Sequence, residues 1–172
     1  APPERDLSYA DQWIIYKAGV CMKEVDQALK AHRFSDAANA VYSFAWHDFC
    51  DWYLEFIKPI VYGADGNEKR ATQTVLAQTL NRLMRLLHPF VPFISEEIYQ
   101  KLPLRGEACI IDQFPTPAND KDWLKAGSKE RAFELDLVKG VITELRNIRG
   151  EIQIKPGIEI KTRLSPTDDN LQ

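Results

Sequence analysis

From Ser8 onward, Trp13, Ile14, Ala18, Cys21, Val25, Ala28 and Leu29 recur at three- and four-residue steps, the period that places side chains on one helical face. This spacing predicts a first helix over about residues 8–31. Ser35 offers an N-cap for a second helix carrying Ala38, Val41, Ala45, Phe49, Trp52 and Phe56. Tyr42, Trp46, Tyr53 and Ile57 form another apolar stripe beside that one, so little of this helix is expected to face water. It is predicted to be the central helix of a bundle. Pro59 and the turn Gly63-Ala64-Asp65-Gly66 are expected to end it. A third amphipathic helix carries Val75, Leu76, Leu80, Leu83, Met84 and Leu87, and Pro89 stops it. The apolar link His88-Pro89-Phe90-Val91-Pro92 predicts a buried corner leading into a fourth helix with Phe93, Ile94, Ile98 and Leu102. Four helices on short links make an antiparallel bundle over residues 1–103 the expected architecture.

After Pro103 the pattern changes. Cys109-Ile110-Ile111 reads as a brief strand and Phe114 to Asp120 as a loop. Ser128 can cap a helix reaching about Gly150, with Phe133, Leu137, Val141, Leu145 and Ile148 on its inner face. Lys155-Pro156-Gly157 then turns into residues 158–164, whose strict alternation predicts a half-buried strand. Residues 104–172 are therefore expected to form a small strand-helix-strand subdomain. The fold class is mainly α, an antiparallel helical bundle with a small C-terminal α/β appendage.

Composition narrows the function classes. The 172 residues are 45% hydrophobic and 27% charged, too apolar for a disordered tail. Cys21, Cys50 and Cys109 lack Cys-x-x-Cys spacing, which fits reduced thiols better than bridges or zinc ligands. No apolar run approaches the roughly 18–20 residues of a membrane span, and Ala1 to Asp6 has no signal-peptide pattern, so a cytoplasmic, membrane-free setting is expected. With no initiator Met and a polar Thr167 to Gln172 end, the chain is expected to be a piece of something longer.

The net charge of -3 is unevenly distributed. Between Lys139 and Arg163, six cations (Lys139, Arg146, Arg149, Lys155, Lys161, Arg163) face Glu144, Glu151 and Glu159, leaving +3 there and -6 elsewhere. The third helix adds Lys69, Arg70, Arg82 and Arg85 against Glu68. A phosphate backbone exploits such a surplus, because each neutralised phosphate releases condensed counterions. Solvated helix faces look the same, so a protein or interdomain partner stands beside nucleic acid.

Motifs for chemistry are sparse. Ser43, His47, Asp51 and Glu55 fall four apart with Asp48 alongside, a spacing that can converge on a metal. A bundle metal centre needs matching ligands from other helices, which the first, third and fourth helices do not supply, so no metal is expected there. His32 and His88 sit at helix ends, where an imidazolium suits the dipole. The sequence has no Gly-x-Ser-x-Gly, Gly-x-x-x-x-Gly-Lys or Gly-x-Gly-x-x-Gly, so no catalytic residue and no bound cofactor are expected.

Two segments are more specific. Trp46-His47-Asp48-Phe49-Cys50-Asp51-Trp52-Tyr53-Leu54-Glu55 and Leu86-Leu87-His88-Pro89-Phe90-Val91-Pro92-Phe93-Ile94-Ser95-Glu96-Glu97-Ile98-Tyr99 resemble the anticodon-binding domain of class I aminoacyl-tRNA synthetases of the valine, isoleucine and leucine group. The first segment, together with Ile148-Arg149-Gly150-Glu151-Ile152-Gln153-Ile154-Lys155-Pro156-Gly157, is similar to the valine branch of that group. The likeness runs from about Leu7 to Leu164. It implies a helical bundle plus a small α/β piece that receives the anticodon arm of tRNA(Val). The family's catalytic core, which uses ATP and Mg, and its editing domain are absent from this sequence. The remaining domains of such an enzyme would be its other partners, including an upstream helix rich in Asn, Arg and aromatic residues. Trp46, Trp52 and Tyr53 are expected to be core rather than base-stacking residues. Arg82, Arg85, Arg146, Arg149 and Lys155 are the expected RNA contacts on charge alone, since a cation meets phosphate without a prearranged pocket. The alternatives are an interdomain scaffold whose RNA readers lie upstream, and a bundle metalloenzyme using His47, Asp48, Asp51 and Glu55.

Overall fold

A computed structural model describes residues 6–155 and 157–163. Helix α1 spans Tyr9–Lys30, α2 Phe34–Ser43 and α3 Leu54–Val61, with the π-helical stretch Phe44–Tyr53 joining α2 to α3 without a break. Helix α4 spans Asn67–Leu87, α5 Pro92–Tyr99, the single turn α6 Lys121–Leu124 and α7 Lys129–Glu151. The chain divides into two compact units, residues 1–136 and 137–172. The mainly α class is as expected; no strand forms among the described residues, and none of the described helices is long and apolar enough to cross a membrane.

Helix α1 begins where the periodicity placed it. Ser8 caps it through a reciprocal capping box, its hydroxyl accepting from the Asp11 N–H at 3.1 Å while the Asp11 carboxylate accepts from the Ser8 N–H at 3.0 Å. At the far end His32 adopts φ 57° and the Arg33 N–H closes on the Ala28 carbonyl at 2.8 Å, the reversal usually made by glycine. It is α1, and not the second helix, that forms the centre of the bundle. Trp13, Ile14, Ile15, Ala18, Met22 and Val25 are all but completely buried, each large side chain contributing about 1.5–3 kcal/mol of hydrophobic stabilisation. Helices α2, α4 and α6 and the π stretch all pack on α1.

The second helix departs from the expected phase. Its buried positions run Ala37, Val41, Phe44, then Phe49, Tyr53 and Ile57. The five-residue step from Phe44 to Phe49 marks the π stretch, whose last turn closes with Leu54 N–H donating to the Phe49 carbonyl. The extra residue rotates the apolar face beyond Phe44, so Tyr53 and Ile57 enter the core; Tyr42 and Trp46 point outward. Ser35 is not the cap; the helix already starts at Phe34, with Arg33 before it. Nor does Pro59 end it, because α3 continues to Val61 and closes through Tyr62 N–H on the Lys58 carbonyl at 2.9 Å.

Asp11 ties these elements together. Fully buried, its carboxylate accepts from Tyr53 Oη at 2.7 Å, Thr72 Oγ1 at 2.7 Å and Ser8 Oγ at 2.7 Å, which joins α1, the π stretch and α4 through one side chain. Burial, then the Asp11 charge and hydrogen bond, push the Tyr53 phenol well above its ordinary value, so it remains a donor.

The corner after α4 is not buried. Val91, Phe93 and Ile94 are exposed, Phe93 at 92%, and α5 instead buries Ser95 and Tyr99. Tyr99 Oη donates to Asp112 Oδ2 at 2.5 Å and accepts from the Gly106 N–H at 2.6 Å, which anchors the following loop. Cys109–Ile111 forms one 3₁₀ turn in place of the expected strand; Cys109 is buried, while Ile110 and Ile111 are exposed. A strand must share its backbone bonds with a neighbour, and among the described residues no strand stands beside it. The same reason applies to residues 158–163, which form no strand; Leu164 and Pro156, the remaining parts of that expected strand and its turn, lie outside the described residues.

Trp123 of α6 is buried, and the chain then passes so close to α1 that a Cβ on Gly127 would lie 2.8 Å from the Tyr16 nitrogen. Ser128 caps α7 as expected, its hydroxyl accepting from the Arg131 N–H at 3.2 Å. Ala132 is the position α7 buries, however, and Phe133, Leu137 and Ile148, expected inside, are exposed.

Candidate nucleic-acid interface

The five cations singled out by charge fall into two kinds. Arg82 and Arg85 lie on α4 and turn their guanidinium groups onto the chain itself. Arg82 Nε donates to Asp120 Oδ1 at 2.7 Å, and its guanidinium carbon stands 4.1 Å from the centre of the Trp123 ring, a cation–π contact. Burial lowers the Arg82 pKa below the ordinary arginine range, outweighing the opposing pull of Asp120. Arg85 donates through Nη1 to the Gln113 carbonyl at 2.6 Å and stands 3.8 Å from Asp112 Oδ1. Both side chains hold the segment after α5 against the bundle.

Arg146, Arg149 and Lys155 belong to the second unit. Arg146 and Lys155 are exposed. Arg149 is half-buried and donates to the Ile158 carbonyl at 3.0 Å and the Lys155 carbonyl at 2.9 Å, gathering the segment beyond α7. Gln153 at φ 55° lets the Ile154 N–H close on the Arg149 carbonyl at 3.0 Å, which ends α7 as His32 and Arg33 end α1. The fold thus presents Arg146 and Lys155, with exposed Lys161 and Arg163, on the unit whose sequence carries the local positive surplus.

Of the aromatics assigned to the core, Tyr53 is buried and Trp52 half-buried, but Trp46 is 54% exposed. Trp46 lies parallel to exposed Tyr42, their planes 2° apart and their centroids 6.5 Å apart, and His47 meets the Tyr42 ring edge-on. Flat exposed aromatics are the groups on which unpaired bases stack. Helical spacing grouped Tyr42 with Trp46 but assigned them to the core, whereas the buried face of this segment is Ala37, Val41 and Phe44. His47 Nδ1 lies 3.5 Å from Asp51 Oδ2, both are exposed, and among the described residues Asp48 and Glu55 do not join them in a ligand cluster.

Residues 11–164 match a family described as the anticodon-binding domain of tRNA ligase. The chain is 56% identical over 171 residues to a valine–tRNA ligase of Bdellovibrio bacteriovorus, a match covering 99% of this chain and 19% of that protein. It is 42% identical over 166 residues to the valine–tRNA ligase of Geobacter sulfurreducens, covering 95% and 18%. For the Bacillus subtilis valine–tRNA ligase the identity is 34% over 166 residues, covering 96% and 18%. The chain therefore spans about a fifth of the length of these curated relatives.

Proposed function

The chain belongs to the family of anticodon-binding domains of tRNA ligases, and we propose that it holds the anticodon arm of tRNA(Val) within a cytoplasmic valine–tRNA ligase. The observation that carries this reading is a likeness to valine–tRNA ligases over nearly the whole chain, from 56% identity downward. The exposed cations of the second unit supply attraction to phosphate, and the Tyr42–Trp46 pair in the first unit supplies flat faces suited to unpaired bases. The ligase joins valine to its tRNA at the expense of ATP, with Mg, in a catalytic domain outside this chain. Binding at the anticodon arm positions the distant acceptor end, which is how remote contacts raise catalytic efficiency.

Fluorescence anisotropy with tRNA(Val), a control tRNA, and each carrying the other's anticodon, over a salt series, tests the proposal. The expected result is tighter binding of the valine anticodon and an affinity that falls with salt. Equal affinity for all four RNAs without salt dependence overturns it. A second reading is favoured by the exposed Val91, Phe93, Ile94 and Ile110: the chain serves chiefly as a scaffold against the ligase's remaining domains. Adding the next upstream helix separates the two, because RNA binding that appears only in the extended chain supports the scaffold reading.

A further inference from the structure

We propose that His88, Glu96 and Cys109 form a binding site for a soft divalent cation, zinc by preference, which would pin the end of α4, helix α5 and the 109–111 turn to one another. A ring nitrogen of His88, a carboxylate oxygen of Glu96 and the Cys109 sulfur all lie within 4.8 Å of one another. The three come from three separate segments, so helical spacing does not account for their convergence. They are also the donor types that a zinc ion takes together.

The surroundings hold His88 and Glu96 in place. Ser95 Oγ donates to the Val91 or Pro92 carbonyl, at 2.9 and 3.0 Å, which leaves the hydroxyl oxygen to accept from His88 Nδ1 at 2.9 Å. With the proton on Nδ1, donated to that oxygen, Nε2 keeps its lone pair for a metal. Glu96 is held by the Cys109 N–H at 2.9 Å and by Gln100 Nε2 at 2.7 Å, outer contacts of the kind that steady a ligating carboxylate. Cys109 is buried. Binding replaces the S–H bond with a metal–sulfur bond and releases the proton to water, with no change of oxidation state.

Tetrahedral zinc holds N, O and S ligands about 3.3–3.7 Å apart, given bonds of about 2.0–2.3 Å. A cavity of about 350 Å³ bordered by His88, Phe93, Glu96, Gln100 and Ile110 lies alongside and gives room for a water as fourth ligand.

The test uses the whole chain with zinc or cobalt alone. Calorimetry is expected to give one equivalent of zinc, and cobalt to give the near-ultraviolet charge-transfer absorption of a thiolate ligand. Cys109→Ser abolishes that absorption, and Cys50→Ser, which alters the exposed cysteine, leaves it intact. Ser95→Ala, which releases the His88 ring, weakens zinc binding by roughly tenfold or more. No stoichiometric zinc, binding without a thiolate band, or a band lost with Cys50 instead of Cys109 overturns the proposal. The unaltered chain alone decides the first two outcomes, so they do not depend on how well any variant folds.

Discussion

Asp11 shows what one buried side chain can coordinate. It caps α1 from within the first turn and, through its two oxygens, receives Tyr53 and Thr72 from two other elements. Tyr53→Phe keeps the ring and removes only the donor, so the loss should be that of a hydrogen bond to a carboxylate, about 1.5–3 kcal/mol of unfolding free energy in urea denaturation. A change below about 0.5 kcal/mol would mean the network does not constrain the fold. The arginines make the complementary point. A sequence reports that Arg82 and Arg85 are charged, but Asp120, Trp123 and Gln113, which receive them, lie 28 to 41 positions away along the chain. Charge was legible there, and its direction was not.

At the scale of elements, the period of apolar residues located α1 and α4 well, since each is a regular helix with one wide buried face. It failed where backbone hydrogen bonding changed period. The π stretch carries one residue more than an α-helix needs between Phe44 and Phe49, and this shift brings Phe49, Tyr53 and Ile57 onto the buried face that Ala37, Val41 and Phe44 begin, while Tyr42 and Trp46, expected in the core, lie at the surface. Deleting His47, which is exposed, should therefore convert the stretch to α-helix while Phe44, Phe49, Tyr53 and Ile57 stay inside. Circular dichroism and denaturation should show a folded helical protein within about 1–2 kcal/mol of the parent; loss of cooperative unfolding would contradict the one-residue account. The strand-like patterns at 109–111 and 158–163 misled for another reason. Alternation describes a half-buried ribbon only when a second ribbon is present to complete its ladder.

On the scale of the whole molecule, charge is divided rather than scarce. A total of -3 conceals the +3 between Lys139 and Arg163, while Arg82 and Arg85 on α4 are engaged within the first unit. If tRNA binding draws on the second unit, replacing Arg146, Lys155 and Lys161 together with Gln should flatten the dependence of log affinity on log salt. Each phosphate contact contributes a slope of roughly 0.7–0.9, so the loss should be about 2–3. Replacing Arg82 and Arg85 with Gln should leave that slope in place and lower the unfolding free energy instead, because their partners Asp120 and Gln113 lose their donors. Anisotropy titrations over a salt series, paired with denaturation of both variants, measure the two effects separately. A slope that stays constant in the first variant and falls in the second would place the phosphate contacts on α4.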